Sequence, residues 1–322
     1  MVFALEPRTF RSHDGTRLRY YVDLEPADPA RPTLVIAAGL GGGIDAWERV
    51  LELLAPRVRV VALDYRGLYG SEPAPSRAAY SIPHHAADVR ALVDHEGIAR
   101  PILVGWSMGV QVNLEVCRLA PSRPAAMIAI HGTFGRPLDT AFGSDAALRA
   151  APHVFELMRR HGSWLREALA RIIASPGARG TFIGLCQRLG IMDEALDPGA
   201  FARMAEGFAS LDLATYADIF AALGAHDASD LLPSVRVPTL VIGGGKDRMS
   251  PAYLSERMAR EIPGAELCLV ERATHFGLLE HPEPIAARIH RFLDERLPLG
   301  VRSTFGERAG VRPLPAVSVL ST

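Results

Sequence analysis

Between Pro32 and Ile130 the sequence alternates short apolar runs with amphipathic stretches. "PTLVIAAG", "VRVVALDY", "PILVGW" and "AAMIAIHG" have strand length and are rich in Val and Ile. Between them "AWERVLELLA", "HHAADVRALVDHEG" and "VQVNLEVCRLA" show the three-and-four spacing of helices. Strands that are apolar throughout must be covered on both faces, and a crossover helix between successive strands supplies that cover. The pattern therefore implies an α/β fold: a mostly parallel twisted sheet with helices on both faces. Ahead of it, "RTFRSH" and "RLRYYVDL" flank Asp14-Gly15, a hairpin signal.

The rhythm stops after His131-Gly132-Thr133. Residues 134–232 show helical spacing only, as in "HVFELMRRHG", "WLREALARIIA" and "FARMAEGFASL". It resumes with "VPTLVIGGG", "YLSERMAREI", "ELCLVE" and "PIAARIHRFLDERL". The simplest organisation is one α/β core, residues 1–133 and 233–297, interrupted by an inserted helical cap at 134–232. Residues 298–322 have no period and read as a loosely held tail.

Chemistry concentrates at Gly105-Trp106-Ser107-Met108-Gly109, where a strand runs into a helix. In a G-x-S-x-G elbow the glycines let strand and helix approach, and the serine is held exposed in a strained conformation. A hydroxyl is a weak nucleophile without a base to take its proton and a third group to orient that base. "TLVIGGGKDRMSP" places Asp247, and "ELCLVERATHFGLLEHPE" places His275, in loops after successive strands. Such loops converge at the carboxyl edge of a parallel sheet, so Ser107, Asp247 and His275 can meet there as nucleophile, orienting acid and base.

The formal net charge of -1 gives no electrostatic reason to expect nucleic acid or an anionic membrane as partner. Cys117, Cys186 and Cys268 lie far apart among apolar neighbours and read as buried free thiols, not as a disulfide framework or zinc site. The adjacent His84-His85 with Asp88 read as a solvated first turn of a helix in preference to a metal site, and no metal ligand set is expected. Arg159-Arg160 read as a solvated face. The N-terminus has no basic region followed by an apolar core, and no apolar run has the length of a membrane span, so a cytoplasmic location is expected. The glycine run 39–43 does not complete a nucleotide-binding pattern, because Ile44 stands where glycine is required.

With the elbow, "GGGKDRMSP", "ATHFGLLEHP" and "LDYRGLYGS" in this order, the chain resembles the α/β-hydrolase fold family over roughly residues 10 to 297. The resemblance implies a serine hydrolase that cleaves a carboxylic ester or related acyl compound through an acyl-enzyme on Ser107, without a metal or organic cofactor. It also implies an oxyanion hole built from the backbone N–H groups of Leu40 and Met108. Two departures stand out: Ala38-Gly39 replaces the His-Gly common in the family, and Leu68-Tyr69 adds a residue between the glycines of "RGLYGS".

The substrate is expected to be a small, apolar or weakly charged acyl compound. Trp106, His131, Phe155, Met158 and Phe276 are candidate pocket residues, with Phe182 and Met204 as further cap positions. His131 is equally readable as a satisfied core histidine, and Trp106, Met108 and Phe276 as packing around the elbow. Family members with the same triad also cleave carbon–carbon bonds, lactones and thioesters, transfer acyl groups or perform perhydrolysis. Others are non-enzymatic receptors that use the pocket for binding.

Overall fold

The computed structural model describes residues 5–24, 31–141 and 145–297; the expected tail at 298–322 lies outside them. The strands β1 (Leu5–Arg11), β2 (Arg17–Asp23), β3 (Thr33–Ala37), β4 (Arg59–Leu63), β5 (Ile102–Trp106), β6 (Ala126–Ile130), β7 (Thr239–Gly244) and β8 (Glu266–Val270) form one sheet. Their order is β1-β2-β4-β3-β5-β6-β7-β8. The β1–β2 and β2–β4 pairs are antiparallel, and every pair from β4 onward is parallel.

Helices α1 (Glu48–Leu54), α2 (Ile82–His95) and α3 (Met108–Leu119) lie in the first half of the core. The segment between β6 and β7 carries α4 (Pro137–Thr140), α5 (Asp145–Ala174), α6 (Pro176–Arg188), α7 (Pro198–Ala209) and α8 (Leu213–Ala225). Helices α9 (Ala252–Glu261), α10 (Gly277–Glu280) and α11 (Pro282–Arg296) complete the described chain. The period-two alternation of β3 shows how the sheet divides the core. Val35 and Ala37 join residues of α2, α3 and α9 on one face, while Leu34 and Ile36 join α1 and α11 on the other.

In the cap, α5 is kinked at His161 (φ -124°, ψ 22°). Asp197 and Asp212 start α7 and α8, each accepting from two backbone N–H groups of the first turn. A 3-10 helix at Ser229–Ser234 then buries Leu231 and Leu232 in the apolar cluster that also contains residues of α3. No single helix among the described residues is long and apolar enough to cross a membrane; α7 and α8 suffice only as a pair, bent by 101°.

Three expectations need correction. His85 and Asp88 are fully buried instead of solvated; Asp88 is drawn in because Arg66 is itself fully buried and requires a counter-ion. Asp88 accepts from Arg66 Nε at 2.8 Å and from Ser12 Oγ, while His85 packs edge-on to Tyr65. Arg159 is drawn onto Asp218 of α8 at 2.7 Å, and only Arg160 remains on the solvated face. Cys268 is partly exposed because β8 is a sheet edge, whereas Cys117 and Cys186 are buried; all three thiols are free.

The strand-to-helix turn leaves no room at its glycines. A Cβ on Gly109 would lie 1.9 Å from the carbonyl oxygen of Ala37, which is backbone and cannot step aside. Alanine in a helix gains about 1 kcal/mol over glycine, but a clash of this kind costs about 3 kcal/mol. Gly109→Ala is therefore expected to lower the unfolding free energy in urea by about 2 kcal/mol. Parent-like stability would mean that α3 does not approach β3 this closely.

Candidate active site

Ser107 occupies the turn between β5 and α3 with φ 54° and ψ -115°, outside the regions open to most L-residues. Two bonds hold this backbone. The Ser107 N–H donates to Ile130 O at 3.0 Å, and the Val110 N–H donates to Ser107 O at 3.1 Å. The side chain consequently projects from the carboxyl edge of the sheet.

Asp247 and His275 reach the same point from the loops after β7 and β8. Ser107 Oγ lies 2.8 Å from His275 Nε2, and His275 Nδ1 lies 2.9 Å from Asp247 Oδ2. The other carboxylate oxygen, Oδ1, accepts from the backbone N–H groups of Met249 and Ser250, both at 2.8 Å. Burial pushes the Asp247 carboxyl up, but the charge and hydrogen bond of His275, together with those backbone donors, hold it below the ordinary carboxylate range. An ionised Asp247 favours a proton on His275 Nδ1, which leaves Nε2 free to accept from the serine hydroxyl.

Met108 follows Ser107, and Leu40 stands in the loop after β3, the strand paired with β5. Among the described residues neither N–H donates to another group, so both are available to a ligand. Beside Leu40, Gly41 adopts φ +78°, and a Cβ there would meet the rings of Phe208 at 2.7 Å and Tyr216 at 2.9 Å. The end of α7 and the start of α8 are thus seated directly on the loop that carries the Leu40 N–H.

The remaining sequence candidates divide by position. Trp106 is buried under the glycine run: a Cβ on Gly42 would lie 2.1 Å from its ring, and its indole N–H donates to His275 O at 3.1 Å. It props the histidine loop. Phe276 is partly buried and meets the His275 ring edge-on at 6.3 Å. Phe155 and Met158 pack inside the cap with Ala217 and Phe220, turned to α8. Phe182 is exposed and stacks on Phe201, while Met204 is buried with Trp106 in one apolar cluster.

His131 fits neither expectation for it. The residue is fully buried with φ 44°, and among the described residues neither ring nitrogen has a hydrogen-bond partner. Its Nδ1 stands 3.8 Å from Asp247 Oδ2. Burial drives the imidazole down to about 4, against the pull of Asp247, so it is neutral near pH 7. The sequence carries one sign of this placement: a Cβ on Gly277 of "THFG" would lie 2.2 Å from His131 Nε2.

Sequence reasoning missed the residues that seat the cap on this loop pair. Glu280 is buried and accepts from Thr274 N and Oγ1 beside His275, and from Asp193 N at 2.8 Å on the cap side. Asp193 in turn pairs with Lys246, next to Asp247, at 3.1 Å. The two acids lie 87 residues apart, and no local spacing announces a contact of that range.

The strand order and the elbow with its flanking loops are those of one family, and the sequence matches it, described as the alpha/beta hydrolase fold, over residues 32–282. The chain belongs to the α/β-hydrolase fold family. Among α/β-hydrolase relatives, RutD of Stutzerimonas stutzeri, provisionally named a carbamate hydrolase, is 27% identical over 257 residues, 80% of this chain and 89% of RutD. The dihydrolipoyllysine-residue acetyltransferase component of the acetoin cleaving system of Pseudomonas putida is 30% identical across 81% of this chain and 63% of its own length. The enol-lactonase of Burkholderia xenovorans superposes with a TM-score of 0.70 at 23% identity, covering 89% of this chain and 100% of the lactonase. A thermophilic esterase of Thermogutta terrifontis has the same score and identity, covering 90% and 99%. At that identity the solved structures speak for the fold alone.

Proposed function

We propose that the protein is a serine hydrolase that cleaves a carboxylic ester through an acyl-enzyme on Ser107. The observation that carries this reading is the continuous bond path from Ser107 Oγ through His275 to Asp247, 2.8 Å and 2.9 Å long. Ser107 Oγ attacks the ester carbonyl carbon while its proton passes to His275 Nε2. The carbonyl oxygen, now an oxyanion, accepts from the N–H groups of Leu40 and Met108. His275 returns the proton to the departing alkoxide, releasing an alcohol. Water then loses a proton to His275 and attacks the acyl carbon, and the carboxylic acid leaves as Ser107 regains its hydrogen. Among relatives and neighbours, an esterase, an enol-lactonase and a provisional carbamate hydrolase are in keeping with this acyl chemistry.

Phe208, Tyr216 and Leu40 offer an apolar wall along the loop after β3, which suits an apolar acyl or alcohol part. A panel of p-nitrophenyl esters of increasing acyl length tests the reading, with intact mass recording acyl adducts under single-turnover conditions. Turnover through an acylated Ser107 is expected; tight binding of esters without release of nitrophenol would make the protein a receptor. Phe208→Ala and Tyr216→Ala are expected to change the ratio of kcat/KM between long and short esters by roughly tenfold. Phe155→Ala, whose ring packs against Phe220 inside the cap, is expected to lower stability more than it moves that ratio. An unaltered length profile in both Phe208→Ala and Tyr216→Ala would take the acyl pocket away from α7 and α8.

A further inference from the structure

The near-neutral total charge conceals an uneven distribution. Residues 149–189, which span most of α5 and all of α6, hold seven arginines against Glu156 and Glu167 alone. Of the arginines, Arg149, Arg160, Arg166, Arg171 and Arg188 are exposed, and Arg166 and Arg188 have no carboxylate partner among the described residues. The same stretch carries seven of the eleven large hydrophobic side chains exposed among the described residues. Helix α6 buries Ile183 and Cys186, yet presents Phe182, Leu185 and, just past its end, Leu189 to solvent at i, i+3 and i+7. On α5, Phe155 turns inward to Phe220 while Leu157 and Trp164 turn outward, Trp164 with 65% of its surface exposed.

A soluble fold gains nothing from this apolar surface, so the choice of occupant rests on charge. A second copy of the chain meeting the face symmetrically would bring the same arginine excess against itself. A surface of lipid phosphates complements it: arginines hold their stems along apolar matter with guanidinium groups at headgroup depth, and Trp, Phe and Leu enter the acyl boundary. We propose that the exposed surface of α5 and α6 docks on an anionic lipid surface, with Trp164, Phe182, Leu185 and Leu189 in the boundary region and the long arginines around them reaching the phosphates. The proposal does not depend on which bond the Ser107 site cleaves.

Flotation of the full-length protein with vesicles tests it. Phosphatidylcholine vesicles containing about 30% phosphatidylglycerol are expected to carry the protein, and pure phosphatidylcholine vesicles are not. Raising the salt to about 0.5 M is expected to release it. Trp47 and Trp106 are buried, so a blue shift of emission on adding anionic vesicles reports Trp164. The double variant Trp164→Ala/Leu185→Ser and, separately, Arg166→Gln/Arg188→Gln are each expected to weaken vesicle binding about tenfold. Both are expected to keep the parent melting temperature and the parent rate of labelling by a fluorophosphonate, since none of these side chains touches the Ser107 site. Absence of flotation with anionic vesicles, or binding indifferent to lipid charge and to both variants, would overturn the proposal. A lipid-free dimer that Trp164→Ala/Leu185→Ser dissociates would assign the face to a second copy instead.

Discussion

Ser107→Ala is expected to abolish ester turnover, with a fall in kcat of about 10⁶, the loss seen when a triad hydrolase is deprived of its nucleophile. The fold should survive the change. Alanine inherits the same positive φ as serine, so the backbone strain at the elbow is neither relieved nor increased. The side chain gives up one partly exposed hydrogen bond to His275, which is worth about 1 kcal/mol. A fluorophosphonate should add one mass adduct to the parent protein and none to Ser107→Ala. Labelling at another serine, or turnover preserved in the variant, would move the nucleophile elsewhere. Ser107→Gly makes a useful companion, because glycine accepts φ 54° freely and should raise the melting temperature even as activity disappears.

The turn at Ser107 and the two distant residues that meet it there were legible for different reasons. Gly105 and Gly109 announce a local steric requirement, which a short window of sequence contains whole. Asp247 and His275 are legible only through topology, since loops after parallel strands share one edge of the sheet. The antiparallel start was legible in Asp14-Gly15, whereas the placement of β4 outside β3 was not, because periodicity says nothing about neighbours. Phe155 shows the same limit in the cap: helical spacing offered it as a pocket residue, and its ring packs against Phe220 of α8. Asp88 was misread because its burial depends on Arg66, which reaches it from a loop before α2, and His85 because its ring packs against Tyr65 of that same loop. Phe208 and Tyr216 went unseen for want of any signal beyond ordinary amphipathic spacing. Their partner, Gly41, is intelligible only once the cap is in place.

Asp247→Asn is expected to stay folded and to lose about 10⁴ in kcat, and the reason lies in which oxygen does what. Oδ1 accepts from two backbone N–H groups in the turn, Met249 and Ser250, while Oδ2 accepts from His275. An asparagine has one oxygen, and leaving these two backbone donors, one of them buried, facing an NH2 group costs more than turning that group toward the histidine. The amide nitrogen then donates to His275 Nδ1 and forces the imidazole proton onto Nε2. That proton points at Ser107 Oγ, so the ring can no longer accept from the hydroxyl it should deprotonate. KM should change little, because no substrate contact is removed. Stability carries a second signature. The folded carboxyl lies below the ordinary carboxylate value of 3.8, so its contribution is present above that pH and is lost as pH falls through the lowered folded value; Asp247→Asn should remove this part of the acid sensitivity. Asp139→Asn and Asp230→Asn serve as controls, since Asp139 is exposed on α4 and Asp230 pairs with Arg118 at the surface. Parent-like turnover in Asp247→Asn, or a deeper loss in either control, would mean that another carboxylate orients His275.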